Sequence, residues 1–299
     1  MCVALRFGGR RCKGRYTQNL DLDKIADTLE KARSYQKNGP SESNKRRQAV
    51  KIAANNLPKL QNEARYLEDS IDTAMEKLIE YGQEHGLEEF QELSMETKNV
   101  YSKEGIEKLL SDDELADVMK NSDSMTAFRE ANPELYKELS TPDGMKTKVI
   151  LPDAETDEDF QKRYSRTVNA YAKDVKEAPD AQHVVKRLLD QVEKKRRVDA
   201  LVSDHKEVLS TVLPAGDFVP YPSPKKGNSR GVRVYQAVKA PTPAKVRAWA
   251  KQQPDQEAAQ KIVETMKVKT VDSAKVRKKY PQVAEQLTHP KTKLKINTD

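Results

Sequence analysis

Apolar residues recur at helical spacing over most of the chain. Leu57, Leu60, Ala64, Leu67, Ile71, Ala74, Leu78 and Tyr81 follow one another at intervals alternating between three and four. That heptad stripe predicts a helix that needs a partner, either a helical hairpin within the molecule or a coiled coil between molecules. Leu60, Leu67, Ile71 and Leu78 are its pairing residues. Upstream, Leu22, Ile25, Leu29 and Ala32 predict a helix over 21–37, with Gly39-Pro40 as its stop. A second helix is predicted over 43–56, where Pro58 breaks or kinks the run. Phe160, Tyr164, Val168 and Tyr171 mark a helix that starts near Thr156. Ala178-Pro179-Asp180 opens a long one to Val212, its apolar face interrupted by Lys194, Lys195, Arg196 and Arg197.

Between these regions the elements are shorter. Ser111 to Glu114 is a capping-box pattern, and Asn132-Pro133 is a helix cap followed by proline at the first helical position. Thr141 to Gly144 reads as a turn. Val232, Val234, Gln236 and Val238 alternate with Arg233, Tyr235, Ala237 and Lys239, the convincing period-two stretch of the chain. It predicts a small hairpin whose basic tip runs from Lys225 to Gly231. Short helices follow from Thr242, Pro254 and Asp272, and 291–297 reads as a tail.

Composition narrows the architecture. Charged residues make up 34% of the 299 positions and aromatic residues only 6%, against roughly 25% charged in an ordinary domain. Thin helical layers suit such a chain better than a thick core. The predicted fold is mainly α, an elongated helical bundle with coiled-coil-like hairpins and a small basic α+β unit at the C-terminal end. The predicted segments are a basic arm (1–17), a helical domain (18–143), a long-helix region (144–213) and the basic unit with its tail (214–299).

Charge is sorted into blocks. Residues 1–66 hold 15 Lys+Arg against 6 Asp+Glu, residues 67–143 hold 7 against 21, residues 144–213 hold 14 against 13, and residues 214–299 hold 18 against 7. An acidic middle between basic ends suits a polyanion gripped by the ends, or ends paired with middle, within or between molecules. Lys225, Lys226, Arg230, Arg233, Lys245, Arg247, Lys251, Arg277, Lys278 and Lys279 are the candidate binding residues, interleaved with Tyr221, Tyr235, Trp249 and Tyr280 as stacking or packing partners. A basic surface that docks on residues 67–143 explains the same charges.

Val246, Arg247, Trp249 and Ala250, within Thr242 to Lys251, are similar to the first helix of the DNA-binding end of actinobacterial xenogeneic nucleoid silencers. The arginine–glycine–arginine that those proteins insert into the minor groove has no counterpart after this helix. Trp249 also reads as the core anchor of a small helical unit. Gly8-Gly9-Arg10-Arg11-Cys12, with Ser140 to Gly144 downstream, resembles a pattern in uncharacterised proteins of actinobacterial phages and mobile elements. The resemblance implies such an origin and brings no activity with it.

No Walker-type loop, dinucleotide fingerprint, nucleophile elbow or His-Glu zinc helix occurs. Cys2 and Cys12 cannot staple the rest of the chain, and the four histidines are scattered, so neither a metal nor a cofactor is expected. Asp180 and Glu193-Lys194-Lys195 resemble the carboxylate–carboxylate–lysine site of restriction-type nucleases, but both parts fall in a helical pattern. The expectation is a non-enzymatic, cytoplasmic or virion-associated protein that binds nucleic acid or an acidic protein surface. The alternatives are a virion structural or assembly protein acting by helix pairing, or a homo-oligomer, and last a metal-dependent nuclease.

Overall fold

The computed structural model describes residues 20–297 apart from 38–42, 91, 152, 177 and 222–229. Among the described residues are twelve helices and eight strands, so the chain is mainly α. The predicted basic arm, with Cys2 and Cys12, lies outside the described residues. The described chain divides into two compact units, each built from separate stretches. The first draws on 20–94, 145–235 and 296–297, the second on 95–144 and 236–295. The predicted segments are corrected here. Most of the acidic block after residue 94 shares a unit with residues 236–295, and the C-terminal third is not a self-contained module.

The first unit is a bundle of α1 (Leu22–Lys37), α2 (Ser43–His85), α7 (Glu158–Asp174) and α8 (Ala178–Val212). The pivot is α2, which packs along α8 and also against α1 and α7. All eight residues of the heptad stripe are buried there. Their partners are helices of the same chain, so Leu60, Leu67, Ile71 and Leu78 leave no stripe exposed for pairing with a second molecule. The helix also continues through Pro58, where a break or a kink was expected. An internal proline costs about 3 kcal/mol. Here Leu57 and Leu60 on either side are completely buried, and burying two leucines contributes about as much.

The bundle interior is polar at one level. Glu63 is 4% exposed and accepts two hydrogen bonds from Arg163, at 2.8 and 3.1 Å, and one from Lys194 Nζ at 2.7 Å. Burial alone would raise the Glu63 carboxyl, but the hydrogen bonds and charge of Arg163 and Lys194 hold it below its ordinary value. Gln191, one turn before Lys194 on α8, bridges Ser70 and the Tyr171 hydroxyl. Of the cationic run on α8, Lys194 thus enters the packing, whereas the other three make pairs at the surface. Lys194 meets Glu63, Lys195 meets Asp199, Arg196 meets Glu193 and Arg197 meets Asp23.

Three small sheets complete the chain. In one, β1 (Glu89–Phe90), β2 (Leu93–Tyr101) and β8 (Thr288–Ile296) lie in that order. The expected tail is thus a strand. Leu294 is buried while the lysines around it are exposed, and Thr97 and Thr292 share a hydrogen bond across the pair. In another, β4 (Thr141–Ile150) pairs with β6 (Arg230–Lys239), and β6 with β5 (Phe218–Tyr221). The predicted hairpin is present, with Phe218 opposite Arg233, but its tip at 222–229 lies outside the described residues. The expected turn at Thr141 to Gly144 lies within β4, where Gly144 takes φ 83°, a conformation natural only to glycine. Gly231 has no room for a Cβ, which would collide with the Phe218 ring.

The second unit is an internal duplication. Its first half contains α3 (Ile106–Leu109), α4 (Asp112–Val118), β3 (Met119–Asp123), α5 (Met125–Ala131) and α6 (Pro133–Leu139). Its second half contains α9 (Pro243–Ala250), α10 (Gln256–Glu264), β7 (Lys267–Val271), α11 (Ser273–Lys279) and α12 (Pro281–Gln286). The halves share one order of elements, entered by β2 and left by β4 in the first, entered by β6 and left by β8 in the second. From β3 to α6 their element bounds align with those of β7 to α12 at a constant offset of 148 positions, set by the caps Ser124 and Asp272. Asn132 and Tyr280, at that offset, have φ −137° and ψ 62° in one and φ −128° and ψ 63° in the other, each before a proline.

The pairing of the halves obeys a local two-fold axis. Strands β3 and β7 run antiparallel with Asn121 opposite Lys269, which are equivalent residues, at the centre. Ser124 N–H donates to Met266 O at 2.7 Å, and its equivalent Asp272 N–H donates to Val118 O at 2.9 Å. Two apolar clusters result, and each takes one helix pair from each half. Phe128 and Leu139 pack with Val246, Ala250, Ala259, Val263 and Met266. Ile106, Leu110 and Val118 pack with Val276, Ala284 and Leu287.

The predicted capping box is formed: Ser111 accepts the amide of Glu114, and the Glu114 carboxylate accepts the Ser111 N–H at 2.9 Å. Ser111→Ala should cost about 1 kcal/mol, read as a lowered urea midpoint at unchanged slope. The predicted Asn132 cap is different. Its side chain donates to Thr265 Oγ1 at 2.7 Å instead of capping α6, so it joins the halves.

Candidate nucleic-acid interface

The duplicated halves differ sharply in charge. Residues 95–144 carry six Lys+Arg against twelve Asp+Glu, and residues 236–295 carry fourteen against five. One fold thus tolerates either sign, so folding does not demand the cations of the second half. The sites where the halves meet consume some of them. Arg247 pairs with Asp123, and Lys279 Nζ donates to both oxygens of Asp117 at 2.6 and 2.7 Å. That hydrogen bond to Lys279 holds the Asp117 carboxyl below its ordinary value. In the opposite sense, Lys120 pairs with Asp272. The guanidinium of Arg277 lies 4.9 Å from the centre of the Tyr101 ring, a cation–π distance.

The sequence-predicted binding residues fall into separate groups. Lys245, Arg247 and Lys251 share α9 and its C-cap, and Arg277, Lys278 and Lys279 share α11. Both groups belong to the second unit. Arg230 and Arg233 belong to the first. There Arg233 is exposed and its guanidinium sits 5.9 Å from the Phe218 ring centre. Lys225 and Lys226 lie outside the described residues. Within the second unit, Lys245, Lys251 and Lys278 are exposed, and among the described residues none of the three has a carboxylate within 4.0 Å. The division is thus between cations that hold the halves together (Arg247, Arg277, Lys279) and cations that face solvent (Lys245, Lys251, Lys278).

Sequence reasoning missed Lys275, which is exposed on α11 at the position that Lys245 holds on α9 and, unlike Lys245, also donates to the Asp117 carbonyl of the acidic half at 3.4 Å. The signal was present, because Ala-Lys-Val-Arg occurs at 244–247 and again at 274–277. In both copies the valine is completely buried. Trp249 is half-buried and packs on the Phe128 cluster, as a core anchor does.

The nuclease constellation does not assemble. Asp180 and Glu193 lie on one helix, and thirteen residues at about 1.5 Å each place them about 20 Å apart. Among the described residues no group of three or more His, Cys, Asp or Glu could hold a metal ion, and no helix is long and apolar enough to cross a membrane. No family model, curated protein or solved structure matches the chain.

Proposed function

We propose that the chain binds nucleic acid non-enzymatically, through the lysine-rich surface of residues 236–295. One observation carries this reading. Two halves of the same fold pair with each other, and the second keeps solvent-facing lysines that neither its fold nor that pairing uses. Cations of this kind bind phosphates and give affinity without sequence preference. An acidic protein partner fits less well, because a protein interface is centred on apolar and aromatic side chains. In residues 236–295, Val238 is the single exposed large hydrophobic side chain among the described residues. The resemblance at Gly8 to Cys12 supports a phage or mobile-element origin, and the binding would then be exercised in the host cytoplasm or from a virion.

Fluorescence anisotropy on a labelled duplex of about 30 base pairs tests the reading. Binding should weaken steeply between about 50 and 200 mM salt, with a log–log slope of about −0.9 for each phosphate neutralised. No binding at the lower salt, or an affinity independent of salt, would overturn it.

A further inference from the structure

The second half of the duplicated unit presents one basic surface twice. The two Ala-Lys-Val-Arg copies start α9 and α11, and in each the helix is capped two residues before the alanine. Thr242 accepts the amide of Lys245, and Asp272 accepts the amides of Ala274 and Lys275. Val246 anchors the first copy in the Phe128 cluster, and Val276 anchors the second in the Ile106 cluster. Each arginine then rests on the last residue of a strand from the acidic half. Arg247 meets Asp123, which ends β3, and Arg277 covers Tyr101, which ends β2. With valine and arginine turned to the protein, the lysines are exposed, although Lys275 Nζ also donates to the Asp117 carbonyl at 3.4 Å. Lys245 and Lys251 are exposed on the first copy, and Lys275 and Lys278 on the second. The two copies sit at opposite ends of the β3–β7 ladder: Arg247 meets Asp123, opposite Lys267, and the α11 cap Asp272 follows Val271, opposite Met119. Strand β7 has five residues, about 17 Å of extended chain.

We infer that the two copies hold one nucleic-acid duplex at the same time, in a bipartite contact. The inference rests on the nucleic-acid reading above and adds the number and the place of the contacts. A duplex presents phosphates about every 3.4 Å along each strand, so about five base pairs span the length of that ladder. A small anion could occupy only one copy. Once the first copy is bound, the second meets its phosphates as an intramolecular event, and the two affinities multiply instead of adding.

The test compares full-length wild type with Lys245→Gln/Lys251→Gln, Lys275→Gln/Lys278→Gln and the quadruple variant, on the same duplex at about 50 mM salt. Exposed substitutions of this kind change stability by no more than about 0.5 kcal/mol, and circular dichroism checks that the helices remain. Each double variant should lose at least about tenfold in affinity and about two units of salt slope. The quadruple variant should lose more than either, and lysine-to-arginine versions should bind like wild type. If one double variant binds as weakly as the quadruple while the other matches wild type, there is a single contact and the inference falls, while the nucleic-acid reading stands. If wild type binds with a steep salt slope and both double variants match it, the contact lies elsewhere and the inference falls again. If wild type ignores the duplex and takes up polyglutamate instead, both readings fall.

Discussion

Glu63→Ala should destabilise the first unit by about 3 kcal/mol, the lower end of the range of about 3–5 kcal/mol for breaking a buried ion pair from one side. The carboxylate is almost fully buried, but Arg163 and Lys194 keep 22% and 29% of their side-chain surface exposed, so water relieves part of their loss. Alanine removes three charge-assisted hydrogen bonds at once and strands two cations between α2, α7 and α8. Urea unfolding followed by circular dichroism measures the effect. Glu63→Gln separates shape from charge. A carboxylate whose folded pKa lies below its ordinary value of 4.5 stabilises the fold fully above that value. The contribution is lost as the pH falls through the lowered folded pKa. Wild type should therefore lose stability faster than Glu63→Gln below pH about 4.5. Equal slopes for the two proteins would show that Glu63 is not charged in the fold.

What the sequence made legible was local. The helix opened by Ala178 and ended at Val212 was predicted at its observed bounds, and the caps at Ser111, Thr242 and Asp272 stand where their residue types placed them. Each is decided within a few positions of the chain. The misses were decided at a distance. Pro58 stays helical because of leucines packed by α8, and the lysine-rich stretch 291–297 becomes a strand because β2, some two hundred residues earlier, supplies its partner. Short strands such as β3 and β7 carry Asn, Ser, Lys and Thr, with no apolar alternation to announce them.

The candidate site was legible in charge and illegible in pairing. The ten predicted cations were picked by charge alone, and nothing nearby in sequence tells Arg247, which holds Asp123, from Lys245, which faces solvent. The duplication was harder still, since its halves have diverged to opposite charge and keep little more than cap, proline and leucine positions in common. That inversion has a physical consequence. Each apolar cluster joins helices from both halves, and a duplicated module could equally pair with a second copy of itself. Opposite charge favours the mixed pair and penalises the two like pairs. The block pattern of the chain therefore serves first to assemble one unit, and the cations left over are those that can act outside it.

Phe128→Ala should be the most damaging single change in the second unit, costing about 3–5 kcal/mol. The ring is completely buried and occupies the position that Val276 fills in the equivalent cluster. The two clusters balance volume differently around these residues. Phe128 packs in a cluster with Ala250 and Val246, whereas Val276 packs with Leu110 and Ile106. A large residue from one half therefore meets small ones from the other, and the reverse holds across the local axis. Phe128→Val should leave a cavity and lower the urea midpoint. Adding Ala250→Leu, the residue that the equivalent cluster uses, should recover part of the loss, with a favourable coupling of at least about 0.5 kcal/mol in a double-mutant cycle. Additive losses would mean that the two side chains do not share a space, and the equivalence of the clusters would fail at its centre. Because Val246 and Ala250 belong to α9, the same cavity should also weaken duplex binding more than Ser111→Ala does, although no cation has been removed.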